Sequence, residues 1–273
     1  MQLGIFAKTF AGSSPLEVLA AARAAGFETV QYNMACSGLA SLPQTIPAAT
    51  ADAVRAASLG AGIGIAAVSA TYNMIHPDLA LREQGRRAFE AIAAAAHRMG
   101  TRLLTVCTGS RDPDDQWRGH PGNASPQAWR DLLAEFQHLL AIADRHDVLI
   151  GVEPELANVV DGAARARALL DEVGSERVAI VLDPANLFEA EAPERRRALV
   201  EEAVGLLAGR IALAHAKDRH ADGSFAAAGA GVIDFGHFIK TLRRSGFEGP
   251  VVTHGLSPSE AAGVATFLRG ALQ

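Results

Sequence analysis

Residues 148–186 read VLIGVEPELANVVDGAARARALLDEVGSERVAIVLDPAN, in which two short apolar runs flank an amphipathic, alanine-rich segment. The runs Val148–Glu153 and Val178–Asp183 have the length and the continuous apolar character of strands that are buried on both faces. The segment between them, Ala163–Val173, has the apolar spacing of a helix that covers such strands. This stretch therefore predicts a strand–helix–strand unit with parallel strands.

The same alternation runs along the whole chain. Eight strand–helix pairs in 273 residues match the size of a (β/α)8 barrel, so the predicted fold class is α/β, with a single TIM-barrel domain over residues 1–273. A doubly wound open sheet is disfavoured because no GxGxxG turn follows the first strand. The other predicted strands are Leu3–Ala7, Thr29–Tyr32, Ile63–Ser69, Arg102–Cys107, Arg210–His215 and Pro250–His254, and further helices are predicted at Pro15–Ala25, Leu81–Met99, Pro126–His146 and Pro193–Leu207.

Composition narrows the class of protein. The chain is 49% hydrophobic and carries a formal net charge of −5, which excludes disorder and gives no electrostatic footprint for nucleic acid. No run of about eighteen uncharged apolar residues is present, so no membrane partner is expected. The N-terminal MQLGIFAKTF predicts a strand and not a secretory signal, and two cysteines imply no disulfide framework. The expected location is the cytoplasm.

Polar side chains follow the last four predicted strands, at the end of the barrel where active sites form. Alternate residues of a strand share a face, so each polar side chain is expected above a residue of the barrel interior. Together they would form a ring of two carboxylates and two imidazoles, which suits Mn²⁺, Co²⁺, Zn²⁺ or Mg²⁺. The predicted ligands are Glu153, Asp183, His215 and His254, above Gly151, Val181, Leu213 and Val252 respectively.

Further polar residues near the strand ends are candidates for contact with a substrate. The long polar loop after Cys107 predicts a lid in which Arg111 faces an anionic group, with a self-packed loop held by an internal salt bridge as an equal alternative. The glycine-rich stretch Gly223–Gly231 could cover the site or bind phosphate through backbone N–H groups. The candidates for substrate contact are Lys8, Tyr32, Asn73, Arg111, Trp117, His120 and Asn186.

These residues resemble the sugar isomerase/epimerase superfamily of xylose isomerase-like barrels. The resemblance is carried by Glu153, Asp183, the segment His215–Asp218 and the Gly-Ala-Gly-Val-Ile-Asp segment that ends at Asp234. It implies that Glu153, Asp183 and His215 bind a divalent metal ion and that Glu153 also moves a proton. The sequence departs from the family at one position that matters, because the epimerases have a second glutamate where this chain has His254. The endonucleases of the superfamily have a histidine at the position of Asn186, which makes that activity a poorer match.

The resemblance and the residues together predict a divalent-metal-dependent isomerase or epimerase of a small sugar or sugar derivative, acting through an enediolate. Glu155, Lys217 and His76 are the candidates for a second proton-transfer group beside Glu153. Two alternatives stay open: a metal-dependent lyase of the inosose dehydratase kind, and a sugar-binding barrel without activity. The expected partner is a small-molecule sugar, and homo-oligomerisation is left open.

Overall fold

Eight parallel strands close into a barrel in which the first strand is hydrogen-bonded to both the second and the last. The structure, a computed structural model, covers residues 1–273. The strands are β1 (Leu3–Phe6), β2 (Thr29–Tyr32), β3 (Gly64–Ser69), β4 (Leu103–Cys107), β5 (Leu149–Glu153), β6 (Val178–Leu182), β7 (Ile211–Ala216) and β8 (Val251–Thr253). The predicted (β/α)8 fold is thereby confirmed.

Eight helices surround the barrel. Most begin or end where the sequence places a cap: Ser125 accepts a hydrogen bond from the N–H of Ala128 in front of Pro126. None of the helices combines the length and the apolar character needed to cross a bilayer. They are α1 (Pro15–Ala24), α2 (Ala48–Ala61), α3 (Leu79–Met99), α4 (Pro126–His146), α5 (Ala163–Val173), α6 (Pro193–Leu207), α7 (Phe235–Arg244) and α8 (Ala261–Leu272).

The barrel interior is filled by small and branched side chains from alternate strand positions. Val181, Leu213 and Val252 form one buried cluster with Ala67 and Leu103. A Cβ atom on Gly151 would lie 3.0 Å from Val181 and 3.1 Å from Leu103, so only a glycine leaves these two side chains their space. The predicted interior positions below the polar ring are therefore confirmed. A second and much larger cluster fills the layer between the strands and the helices.

One short ribbon was not predicted from the sequence. Asp218–Arg219 pairs in antiparallel register with Phe225–Ala226, directly after β7. Each strand of the ribbon has only two residues, which is too short for an alternating pattern to be visible. The ribbon lies at the C-terminal end of the barrel and carries Phe225 toward the site described below.

The loop after β3 is held against α3 and α4 by Tyr72. The Tyr72 hydroxyl donates to Glu135 Oε1 at 2.5 Å, and Arg86 donates to the other oxygen of Glu135 at 2.8 Å. The Tyr72 ring lies directly on Gly85 of α3, where a Cβ atom would overlap the ring. Glycine at this helical position therefore makes room for the side chain that joins the loop to both helices.

We expect Gly85→Ala to lower the free energy of unfolding by about 1–3 kcal/mol, because the added methyl group displaces the buried Tyr72 ring. The matched control is Gly205→Ala in α6, where a Cβ atom meets nothing within 4 Å. That change is expected to be neutral or to stabilise the helix by up to about 1 kcal/mol. Urea denaturation measures both variants, and equal stabilities would mean that the Tyr72 contact carries no energetic weight.

Candidate metal centre

Four side chains converge at the C-terminal end of the barrel. Glu153 ends β5, Asp183 follows β6, His215 lies in β7 and His254 follows β8, and one ligand atom from each lies within 4.8 Å of the others. His254 Nε2 lies 2.9 Å from Asp183 Oδ2, and His215 Nδ1 lies 3.0 Å from Glu153 Oε1. Ligand atoms that sit roughly 2.0–2.2 Å from a common ion at right angles are about 3 Å apart. The donor atoms and their spacing fit a divalent ion.

Asp183 is positioned by its own turn. Its Oδ1 accepts a hydrogen bond from the N–H of Ala185 at 2.9 Å, at the start of a short 3-10 turn that includes Pro184. This bond leaves Oδ2 facing His254 and, at 3.9 Å, His215. The side chain is fully buried, so the cap and the imidazoles are its partners in place of water.

Gln31 of β2 orients His215 across the barrel. The His215 Nε2–H donates to Gln31 Oε1 at 2.8 Å, and Gln31 Nε2 donates to Thr105 Oγ1 at 3.0 Å. Because the side-chain amide nitrogen of Gln31 donates to Thr105, the amide oxygen of Gln31 faces His215 Nε2. The other imidazole nitrogen of His215, Nδ1, therefore faces the carboxylates. Metal-ligating histidines are commonly oriented by such a second hydrogen bond. Gln31 lies within the predicted strand Thr29–Tyr32, but its contact with His215 was not predicted.

The two carboxylates and the two imidazoles shift each other's protonation. Burial alone raises the pKa of Glu153 and of Asp183, but the facing His215 and His254 hold both pKa values below their ordinary range. For His215, burial lowers the pKa, yet the adjacent Glu153 and Asp183 raise it overall. Burial and the neighbouring His215 lower the pKa of His254. The carboxylates are therefore held in the anionic form that a metal ion needs.

A cavity of about 380 Å³ opens above the four residues. Glu155 and Lys217 share its wall with Glu153, His215 and His254, as does the predicted contact residue Trp117. Burial, together with the negative charge of Glu153, raises the pKa of Glu155 to about 7, while Lys217 opposes this shift. The remaining lining residues are Phe6, Gln31, Ser69, Thr71, Cys107 and Phe225. The cavity therefore has a polar floor and aromatic side chains on its wall.

Arg111 does not line this cavity. Its guanidinium donates to Asp131 Oδ2 at 2.5 Å and to the carbonyl oxygen of Ile75 at 3.3 Å. Asp131 also accepts a hydrogen bond from Arg82, at 3.2 Å. Arg111 is therefore paired with a carboxylate of α4 and with the loop after β3, and its contact with an anionic group of a ligand stays a prediction.

Other predicted contact residues also lie outside the cavity lining. Asn73 Nδ2 donates a hydrogen bond to the carbonyl oxygen of Ser110, and His120 Nδ1 accepts one from the N–H of Gly122. A hydrogen bond of 2.7 Å joins the buried Tyr32 hydroxyl to Ser37, and Lys8 is exposed. None of these four side chains lines the cavity. The position of His76 is similar, because its Nε2–H donates to the carbonyl oxygen of Pro113 at 2.9 Å.

Asn186 supports Glu153 from below. Its Nδ2 donates to Glu153 Oε1 at 3.2 Å and to the carbonyl oxygen of Pro154 at 3.1 Å. Its Oδ1 is buried and has no hydrogen-bond partner in the protein. Asn186, predicted as a substrate contact, is placed where it orients a candidate metal ligand.

Asp218 organises the glycine-rich loop after β7. Its carboxylate accepts hydrogen bonds from the N–H groups of Gly229, Gly231 and Ile233, each at 3.0 Å. Gly229, at a φ of +91°, also has the ring of Phe267 directly against it, where a Cβ atom would not fit. Two of the backbone amides in the stretch Gly223–Gly231 that the sequence suggested for phosphate, those of Gly229 and Gly231, are thus already bound to a carboxylate of the same chain.

The model of the xylose isomerase-like TIM barrel family matches residues 19–267. The chain belongs to this family. Among solved structures, 3-keto-D-glucoside 4-epimerase from E. coli is similar at a TM-score of 0.79 and 18% identity, over 99% of each chain. L-ribulose 3-epimerase has a TM-score of 0.78 and 18% identity, over 99% of this chain and 94% of that one.

A third similar structure is D-psicose 3-epimerase from Clostridium cellulolyticum, with a TM-score of 0.77 and 14% identity over the whole of both chains. At these identities the likeness establishes a shared fold. A search of curated proteins finds no match to this sequence.

We expect Asp183→Ala to remove most of the divalent metal from the purified protein, because the variant loses a buried anionic donor between two imidazoles. The barrel should stay folded, since Asp183 lies above its packed interior. The control is Asp171→Ala, an exposed carboxylate on α5. Elemental analysis measures the metal content, and equal metal in the two variants would show that the cluster is not the binding site.

Gln31→Leu is expected to weaken metal binding about 10–100-fold, because His215 loses the hydrogen bond that turns Nδ1 toward the carboxylates. Titration calorimetry measures the affinity. Thr105→Val is the milder comparison: Gln31 keeps its Oε1 as an acceptor for His215 and loses only the hydrogen bond from its own Nε2 to Thr105. We expect this variant to weaken metal binding less than Gln31→Leu does. A Gln31→Leu variant with unchanged affinity would mean that His215 needs no positioning group.

Proposed function

We propose that the protein is a divalent-metal-dependent isomerase or epimerase of a small sugar or sugar derivative. One observation carries the proposal: three of the four donor residues, Glu153, His215 and His254, line a cavity whose wall also presents two groups that can carry protons, Glu155 and Lys217. Two similar folds are named as ketose 3-epimerases, of L-ribulose and of D-psicose, and a third as a keto-glucoside 4-epimerase, which supports the same reaction class.

The four ligands would hold the metal ion through two carboxylate oxygens and two imidazole nitrogens. A bound divalent ion would stabilise the negative charge that develops on the carbonyl oxygen of the sugar. Asn186 and Gln31 keep Glu153 and His215 in place, so the site is formed before the substrate arrives.

Glu153 is the proposed general base. The reaction breaks a C–H bond next to the sugar carbonyl, and the electron pair of that bond moves toward the carbonyl oxygen to give an enediolate. Glu153 Oε1 faces His215 and Asn186, whereas Oε2 has the Cys107 sulfur, at 3.8 Å, as its polar neighbour. Oε2 is therefore the oxygen that is left to take the proton.

A second group must return the proton, to the same carbon in epimerisation or to its neighbour in isomerisation. The chain has His254 where the family's epimerases have a second glutamate, so the family's carboxylate is missing from this position. Glu155 and Lys217 line the cavity and are proposed for the role. His76 is not, because it lies outside the cavity and donates to a backbone carbonyl.

The proposal is tested with protein loaded with Mn²⁺ in D₂O and a panel of ketoses, inososes and hydroxypyruvate. We expect deuterium at the carbon next to the carbonyl, detected by NMR, together with the isomeric sugar. Glu153→Gln should slow this exchange at least about 100-fold, because the amide cannot take the proton. Glu176→Gln, which changes an exposed glutamate far from the cavity, is the matched control.

Two outcomes contradict the proposal and separate its alternatives. Loss of water from an inosose, with no isomeric product, indicates a lyase that needs one base and the same enediolate. Binding of a sugar without deuterium incorporation indicates a sugar-binding barrel in which the missing carboxylate has abolished turnover.

His254→Glu is expected to shift metal preference toward Mg²⁺ and Mn²⁺ and away from Zn²⁺ and Co²⁺, because carboxylate oxygen replaces imidazole nitrogen as a ligand. Competition between paired metals, followed by elemental analysis, measures the ratio. The exposed His220→Glu variant controls for the added negative charge. An unchanged ratio would show that His254 does not contact the ion.

A further inference from the structure

We propose that Phe225 is a positioning residue for Lys217, and that its ring holds the ammonium group of this lysine inside the cavity. The Nζ atom of Lys217 lies 3.1 Å from the centroid of the Phe225 ring. Both side chains line the cavity above the candidate ligands. The chemical use of the ammonium group rests on the proposed function, whereas its placement by the ring does not.

The ring is the anchor of the Lys217 ammonium group. Lys217 Nζ forms no hydrogen bond and no ion pair with another residue of the chain, so the face of the Phe225 ring is its close partner. The aliphatic stem runs along Gly255, where a Cβ atom would lie 3.6 Å from both Cγ and Cε of the lysine. A free lysine side chain samples many rotamers, and the attraction between a cation and the face of an aromatic ring favours the one observed.

A ring differs from a carboxylate in what it leaves free on the lysine. A carboxylate partner would accept hydrogen bonds from the ammonium group and occupy its donors. The Phe225 ring attracts the charge through its face, and the N–H groups that point away from the ring stay able to donate to a bound molecule. Lys217 is thus fixed in the cavity without being neutralised there.

Arg219 fixes the ring in turn. Its Cζ atom lies 4.2 Å from the centroid of the Phe225 ring, and the two residues face each other across the antiparallel ribbon. Arg219 is buried, its Nε donates to the carbonyl oxygen of Ala185 at 2.6 Å, and it also donates to the carbonyl oxygen of Gly223. Because two carbonyl oxygens hold the guanidinium, it gives the ring a fixed base.

The same arginine joins the ring to the candidate metal centre. Ala185, whose carbonyl oxygen accepts from Arg219, donates its own N–H to Asp183 Oδ1. One short turn therefore positions Asp183 directly and Lys217 through Arg219 and Phe225. The ammonium group is held at a defined place relative to the ligand cluster, although Asp183 follows β6 and Lys217 follows β7.

The placement is tested by NMR on the intact protein labelled with ¹³C-lysine, with diamagnetic Mg²⁺ present. Lys8 and Lys240, both exposed, are the only other lysines, and Lys217→Arg assigns the remaining signal. The ring current of an aromatic side chain shifts protons over its face upfield. We therefore expect the ε-methylene protons of Lys217 upfield of those of the other lysines. Phe225→Leu should return the signal to their position, whereas Leu206→Ala, which alters an exposed apolar side chain of α6, should not move it.

The effect on the reaction is tested by the rate at which the isomeric sugar forms. Phe225→Leu should lower kcat about three- to tenfold with a smaller change in KM, because the ring orients a group of the site. Phe225→Tyr should keep the rate, since it keeps the ring face. Phe225→Leu combined with Lys217→Gln should lower kcat no further than Lys217→Gln alone, because the ring acts through the ammonium group.

A Lys217 signal at the position of the exposed lysines, or one that Phe225→Leu does not move, would overturn the inference and leave the proposed function standing. An equal loss of kcat on Phe225→Leu with and without Lys217 would also overturn it, because the ring would then contact the substrate itself. An upfield Lys217 signal in a protein that isomerises no sugar would overturn the proposed function and leave the placement by the ring standing.

Discussion

Each strand of the barrel points alternate side chains inward, and closure of the sheet leaves those side chains no second orientation. Gly151, Val181, Leu213 and Val252 fill the interior, so the residues two positions further along must emerge together at its mouth. The four candidate ligands depend on this arrangement for their proximity, because they come from strands separated by up to about a hundred residues of chain. A one-residue slip in β5 or β6 would put an apolar neighbour such as Val152 or Leu182 in the place of a ligand.

Convergence alone would leave four ionisable groups close together and poorly solvated. The structure resolves this by pairing each carboxylate with an imidazole: Glu153 with His215, and Asp183 with His254. Gln31, Asn186 and the turn at Ala185 then form hydrogen bonds with His215 Nε2, Glu153 Oε1 and Asp183 Oδ1 respectively. The hydrogen bond within each pair, and the attraction between the carboxylates and His215, offset part of the cost of burial.

The sequence was sufficient to predict the fold and the floor of the site, because both depend on local pattern. Strand β2 has its predicted bounds, and β5 begins one residue later than predicted. A short apolar run with a polar end can be recognised as a strand without knowledge of its neighbours. The position of the Arg111 side chain could not be predicted in the same way. Its partner Asp131 lies 20 residues away on α4, and no periodic signal links the two. The role of Gln31 depends on a strand on the far side of the barrel, 184 residues later in the chain.

The contacts of Asp218 have a consequence for how this protein can change over evolution. Lys217 points into the cavity and Asp218, the next residue, turns away to bind the loop that returns from the ribbon. Because that carboxylate and the pairing of Arg219 with Phe225 fasten both ends of the segment, the exposed tip around His220–Ser224 can vary in length and composition with little effect on Lys217. The wall of the cavity can thus be remodelled from the tip while the floor keeps its chemistry, which is how one barrel comes to serve many substrates.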